Sequence, residues 1–174
     1  MADESLEVIL EMNRWIWQRF KNMLSDMTED EVRWRPLPEA NNIELIVRHL
    51  RIEAELHVAS LERGEAMPAE NSASLQQLID SAPLEFNQNL KELEELYARF
   101  LNTLQNTTQA ALRQQTALAY REFKREYPTH LLGFHQAVHL AGHLGQIGTI
   151  RNLYRKSRGE PARFFPDNPT FPTT

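Results

Sequence analysis

The residues with the most chemistry in this chain are His135, His139 and His143, spaced four apart in "FHQAVHLAGHLGQIGTIRNLYR". Four residues is about one helical turn, so their imidazoles line one side of a single helix. Six histidines scattered at random would give roughly 0.2 such pairs, on counting matches to a template, and two are present. Histidines one turn apart can converge on the same cation, which makes metal binding the first chemistry to consider. The chain has no cysteine. Thiolate zinc sites, cysteine nucleophiles and disulfides are therefore excluded, and any ion must be held by histidines and carboxylates.

Two imidazoles fill two corners of a zinc-like site. A catalytic ion needs a third protein ligand, and helix bundles recruit it from a facing helix. His49 is the natural candidate, because Leu45, Ile46, Leu50 and Ile52 around it place it at the interior or its border. A lone inward histidine is more often a hydrogen-bonded core residue, but a histidine pair opposite changes that balance. Glu53, one turn from His49, is open to three roles: a fourth ligand, a partner that orients a ligand, or a general base. His57, two turns on, shares that face but not easily the same ion.

His139 and His143 are favoured over His135 because Gly142, Gly145 and Gly148 follow them. Each glycine costs a helix about 1 kcal/mol against alanine, so the run points to close approach by a ligand or by another helix. His135 then reads either as a neighbour supporting the ligands or as pocket wall. Arg14, Arg48 and Arg151 are candidates for an anionic substrate, although helical arginines are more often ion-paired or solvated. Trp17 reads as core and Trp34 as a plug at one end, while Trp15 is a candidate for a pocket wall.

The elements that must position these residues are legible as helices. Leu6, Ile9, Leu10, Ile16, Trp17, Phe20, Met23 and Leu24 fall at helical spacing over about Ser5 to Asp26, opposite Glu7, Glu11, Arg14 and Asn22. "TEDE" at 28–31 reads as a capping box opening a short helix, which Pro36 and Pro38 end. Asn41 or Asn42 caps a second long helix to about Arg63, with Gly64 as its stop. A short helix over Ser74 to Asp80 precedes a third long helix from Pro83 to about Gln105, with Phe86, Leu90, Leu93, Tyr97, Leu101 and Leu104 as its buried stripe. For 106–128 a short helix and an extended crossing both remain open. Thr129, after Pro128, reads as the cap of a fourth long helix to about Arg155. The tail is rich in proline and phenylalanine, and it is expected to lie extended against the bundle or a second subunit. The expected architecture is all-α: one domain over 1–174, a four-helix bundle with short extra helices and an extended tail at 155–174.

The chain's 174 residues, 41% apolar and 25% charged, suit one globular domain able to bury a sizeable core. A net charge of −5 argues against a nucleic-acid partner. "MADESLEVIL" lacks the basic and apolar regions of a secretory signal, and no apolar run is long enough for a bilayer. No membrane association and a cytoplasmic location are expected.

Two segments carry a family resemblance. "MTEDEVRWRPLPEANNIELIVRHL" resembles a hallmark of the DinB-like, or YfiT-like, metal-binding four-helix bundles: an acidic capped turn, Trp-Arg-Pro, a cap, and a helix bearing the first metal histidine. "HLAGHLGQIGTIR" is similar to their second hallmark, His-x-x-x-His followed by Gly-Gln-Ile. The resemblance implies one divalent ion per chain held by His49, His139 and His143, with nickel or zinc first and manganese or iron next. It implies that Gln146 orients a ligand or bound water. It also implies a homodimer and a small-molecule substrate, and among relatives it includes low-molecular-weight-thiol S-transferases. Thiol transfer is the leading expectation; metal-dependent hydrolysis and a non-catalytic metal-binding module are the alternatives. An ion with an open position would lower the pKa of bound water toward 7 or hold a thiol as thiolate. Loading should weaken below about pH 6, where imidazole protonates.

Overall fold

The computed structural model describes residues 4–63, 73–81, 85–113, 115–120 and 123–162. Four long helices carry it: α1 (Glu4–Leu24), α3 (Ile43–Arg63), α5 (Phe86–Gln105) and α7 (Thr129–Ser157). Short helices α2 (Glu29–Arg33), α4 (Ala73–Ser81) and α6 (Gln109–Leu112) lie between them. None of the described helices is long and apolar enough to cross a membrane. Gly64, Pro83 and the tail from 163 onward lie outside the described residues.

Asn42 caps as the sequence suggests, but only the Thr28 half of the capping box forms, since the Glu31 carboxylate is held by Arg151. Thr28 accepts from the Glu31 amide at 3.3 Å, and Asn42 Oδ1 accepts from the Leu45 amide at 2.9 Å, each satisfying a donor the helix leaves open. The predicted faces are buried: Ile16, Trp17, Phe20 and Leu24 of α1 meet Ile43, Ile46, Val47 and Leu50 of α3, with Leu93, Tyr97, Leu140 and Ile147 closing the core, while Ile9 and Leu10 pack with Val58, Phe100 and Leu104. Each such side chain contributes about 1.5–3 kcal/mol on leaving water.

The main packing pairs are α1 with α7 and α3 with α5, with α3–α7 and α1–α5 contacts completing the bundle. Cross-helix contacts set the directions. Asn13 reaches Gly133 and Arg151 reaches Met23, so α1 and α7 run parallel. Arg51 pairs with Glu92 and Arg99 with Glu62, so α3 and α5 also run parallel. Arg14 bonds Gln105 and Lys21 pairs with Glu94, which makes the two pairs antiparallel. Consecutive parallel helices cannot be joined by a tight turn, and α4 lies between these two in the chain.

In 106–128 the short helix is present, and the extended part is no crossing but two strands paired with each other. Thr108 caps α6 by accepting from Ala111 at 3.2 Å, and an antiparallel hairpin follows. Its strands are β1 (Gln115–Tyr120) and β2 (Phe123–Pro128), paired from Gln115 opposite Pro128 to Tyr120 opposite Phe123. Thr, Leu, Tyr and Phe in this run favour strand, and the hairpin is the departure from an otherwise helical plan.

Two core features went unread in the sequence. Asn13 is fully buried; its amide donates to the carbonyls of Ile9 and Gly133 and its oxygen accepts from the Tyr97 hydroxyl at 2.8 Å. Gly133 is the glycine that close packing requires. A Cβ there would sit 2.8 Å from Ile9 Cγ2 and 2.9 Å from Leu104 Cδ2. Gly145, expected to admit a neighbour, has nothing within 4 Å, and at Gly148 only Met23 comes as near as 3.8 Å.

Candidate metal centre

α3 and α7 cross antiparallel where Ile46, Val47 and Leu50 meet Leu140 and Ile147, and this crossing brings three imidazoles together. His139 Nε2 lies 3.2 Å from His49 Nε2 and 3.0 Å from His143 Nε2. The rings meet edge to face, at 74° for His49 with His139, 61° for His49 with His143, and 85° for His139 with His143. Nitrogens bound to one ion at 2.0–2.1 Å, between right-angled and tetrahedral, stand about 2.9–3.4 Å apart. The observed separations fall inside that window, so the donor set fits a small divalent cation.

The protonation states suit the same use. Burial above all, and then the neighbouring His143, lowers His49 to about 4. Burial, followed by His143 and His49, lowers His139 to about 2. Both rings are therefore neutral near pH 7 and offer lone pairs. With its proton on Nδ1, His143 donates to Gln146 Oε1 at 2.9 Å, which leaves Nε2 for the cluster. Gln146 thus holds the ring of His143, one of the candidate ligands.

The cluster floors a cleft of about 410 Å³ walled by Leu45 and Ile46 of α3, Gln76 and Ile79 of α4, and Val138 and Gly142 of α7. Gly142 has nothing within 4 Å of a notional Cβ, so its missing side chain keeps the mouth open. The α4 wall was not read in advance. A short amphipathic helix announces a buried face but not what it covers.

The other expected residues fall elsewhere. Glu53 is 5% exposed and is not part of the cleft lining, so a general base touching substrate is not what its position provides. His135 stacks flat between His57 and His139, with ring centroids 5.4 and 5.6 Å away, behind the three convergent nitrogens. His57 is fully buried, its Nδ1 donating to the Glu53 carbonyl at 2.6 Å, and burial lowers it to about 3. Arg151 is no anion site. Its guanidinium is held by Glu31 at 2.7 Å, by Asp26 at 2.9 Å and by the Met23 carbonyl at 2.6 Å. Arg14 bonds Gln105 on the outer surface. Trp17 is core, stacked 4.4 Å from Tyr97; Trp34 packs edge-on against Tyr154; Trp15 is exposed under Arg19.

A four-helix bundle with parallel pairs, whose second and last long helices bring three histidines to one cleft, defines the class. Residues 12–147 match the DinB superfamily, and the chain belongs to it. Among solved structures it is similar to YfiT from Bacillus subtilis, at 16% identity and a TM-score of 0.67 over 92% of this chain and 91% of that one. That protein is described as "a probable metal-dependent hydrolase with an unusual four-helix bundle topology". The likeness shows a shared fold. No curated protein matches the sequence significantly.

Proposed function

We propose that the protein is a divalent-metal-dependent enzyme acting on a small electrophile, with transfer of a low-molecular-weight thiol as its leading reaction. The observation that carries this is the convergence of the His49, His139 and His143 Nε2 atoms at the floor of an open cleft. Nickel or zinc suits three imidazoles best, with manganese or iron next. A divalent ion bound there would act as a Lewis acid and favour the anionic form of a nucleophile.

The chain's own residues do the rest. Imidazoles bound to an ion through a nitrogen lone pair would add no charge, so they would leave its full attraction for a thiolate or carboxylate. Gln146 fixes the ring of His143. Leu45, Ile46, Ile79 and Val138 give one apolar side to the cleft, which suits the body of a small organic substrate and thins the water around it. Hydrolysis is the second reading, favoured by the likeness to YfiT.

A homodimer in the cytoplasm belongs to the same proposal. Val8 and Trp15 on α1, with Phe134 and Val138 on the adjoining α7, remain exposed and supply apolar area for a second copy. The deciding experiment is a screen of metal-loaded protein, purified without an affinity tag, against several thiols paired with small electrophiles. Metal-dependent consumption of one thiol supports transfer. Turnover that needs no thiol supports hydrolysis, and no turnover of either kind leaves a binding module.

A further inference from the structure

Behind the imidazole cluster, on the side away from the cleft, sits the buried carboxylate of Glu53. Three imidazoles stand close to it: His57 Nδ1 is 3.9 Å from Oε2, and ring nitrogens of His135 and His139 lie within 4.8 Å of a Glu53 oxygen. A buried carboxylate gains from a positive charge or a shared proton nearby.

His139 supplies the second observation. Its Nε2 faces His49 and His143, while its Nδ1 is buried with no hydrogen-bond partner. An imidazole that gives its Nε2 lone pair to an ion must carry its proton on Nδ1, and a buried N–H calls for an acceptor. His135 lies parallel to His139 at 13° and keeps that ring from turning away.

We propose that Glu53 is the positioning residue of the centre, its carboxylate accepting the Nδ1 proton of His139 and standing as the buried counter-charge to a divalent ion. The inference rests on the reading of His49, His139 and His143 as the ion's ligands. It gives Glu53 a task that needs no access to substrate. A carboxylate held on the far nitrogen of a ligating histidine fixes its tautomer and strengthens it as a donor.

The test compares zinc affinity, by chelator competition, in the wild type, Glu53→Gln and Glu53→Leu, with folding followed by circular dichroism. Glu53→Leu should bind zinc about 10–100-fold more weakly, with Glu53→Gln between, since an amide keeps the acceptor and loses the charge. Nitrogen-15 spectra of the zinc-loaded wild type should show His139 protonated on Nδ1, with that proton slow to exchange. Wild-type affinity in Glu53→Leu overturns the proposal while leaving the three ligands in place. Two zinc ions per wild-type chain, the second lost in Glu53→Leu, also overturns it and makes Glu53, His135 and His139 an inner cation site. If Glu53→Leu does not fold, the spectra decide: a fast-exchanging Nδ1 proton overturns the proposal. A wild type that binds no zinc, nickel or manganese instead refutes the ligand set itself.

Discussion

Arg151 donates from Nε to Glu31 Oε1 at 2.7 Å, with both side chains about one-twentieth exposed, and so ties the end of α7 to the short helix α2. The same guanidinium bonds the Met23 carbonyl near the C-terminus of α1. It therefore closes a helix end whose carbonyls have no partners within the helix. Removing one partner strands the other as a buried charge. Arg151→Met should cost about 3–5 kcal/mol in urea unfolding, and adding Glu31→Leu should restore much of that. A loss below 1 kcal/mol for the single variant would contradict this account.

Gly133 and Gly145 should respond oppositely to alanine. At Gly133 the new methyl meets Ile9 and Leu104 inside 3 Å, and overpacking of this kind costs about 1–3 kcal/mol. At Gly145 the methyl meets nothing, so helix propensity decides and the variant should gain up to about 1 kcal/mol. Thermal unfolding of the two variants checks the sign of each.

His139→Ala should abolish divalent-metal binding, whereas His135→Ala should retain an ion, since His135 lies behind the convergent nitrogens. Gln146→Leu should fall between, weakening affinity about 10-fold through the freed His143 ring. Elemental analysis of untagged protein should give close to one ion per chain. Metal retained by His139→Ala and lost by His135→Ala would move the centre one turn toward the N-terminus of α7.

The pH dependence follows from the depressed histidines. His49 and His139 are lowered in the folded chain from 6.5 to about 4 and about 2, and His57 to about 3. Below pH 6.5 the unfolded chain takes up protons that the metal-free native chain refuses, so stability present above that pH is lost as the pH falls. The unfolding midpoint of metal-free protein should be flat above pH 7 and drop steadily between pH 6 and 4. The same shift delays proton competition, so the loss of metal expected below pH 6 should move lower. A midpoint rising on acidification would rule out neutral buried rings.

Gly142 offers a test of the cleft apart from the ion. A leucine there would fill the mouth walled by Val138 and Ile79, while the three nitrogens keep their places. Gly142→Leu should lower turnover by 10-fold or more with zinc affinity within about threefold of wild type. Equal losses of both would mean that the cleft is not where substrate sits.

The long helices were legible because their signals are local. Thr28, Asn42 and a 3.6-residue apolar rhythm act within one or two turns, and the boundaries of α3 follow them almost residue for residue. The histidine pair was legible for the same reason, since one turn separates His139 from His143. What was hidden depends on partners far away in the chain. Arg151 looked available for an anion because Glu31, 120 residues earlier, is invisible to any local pattern. Asn13 was lost inside an apolar stripe, its partners being Gly133 and Tyr97. The pairing of α3 with α5 could not be read, because periodicity gives a face and not the face opposite it. α7 carries apolar residues nearly all round, so its exposed Phe134 and Val138 were indistinguishable from core.

His49 and His139 stand 90 residues apart in sequence and 3.2 Å apart in space. Bringing the ends of such a loop together costs on the order of 4 kcal/mol of chain entropy. An ion seated between α3 and α7 would act on the unfolded chain as a reversible cross-link, opened by a chelator instead of a reductant. Metal supply would then set the lifetime of the fold as well as the activity in the cleft, and withdrawal of the ion would mark the chain for opening along the seam between those two helices.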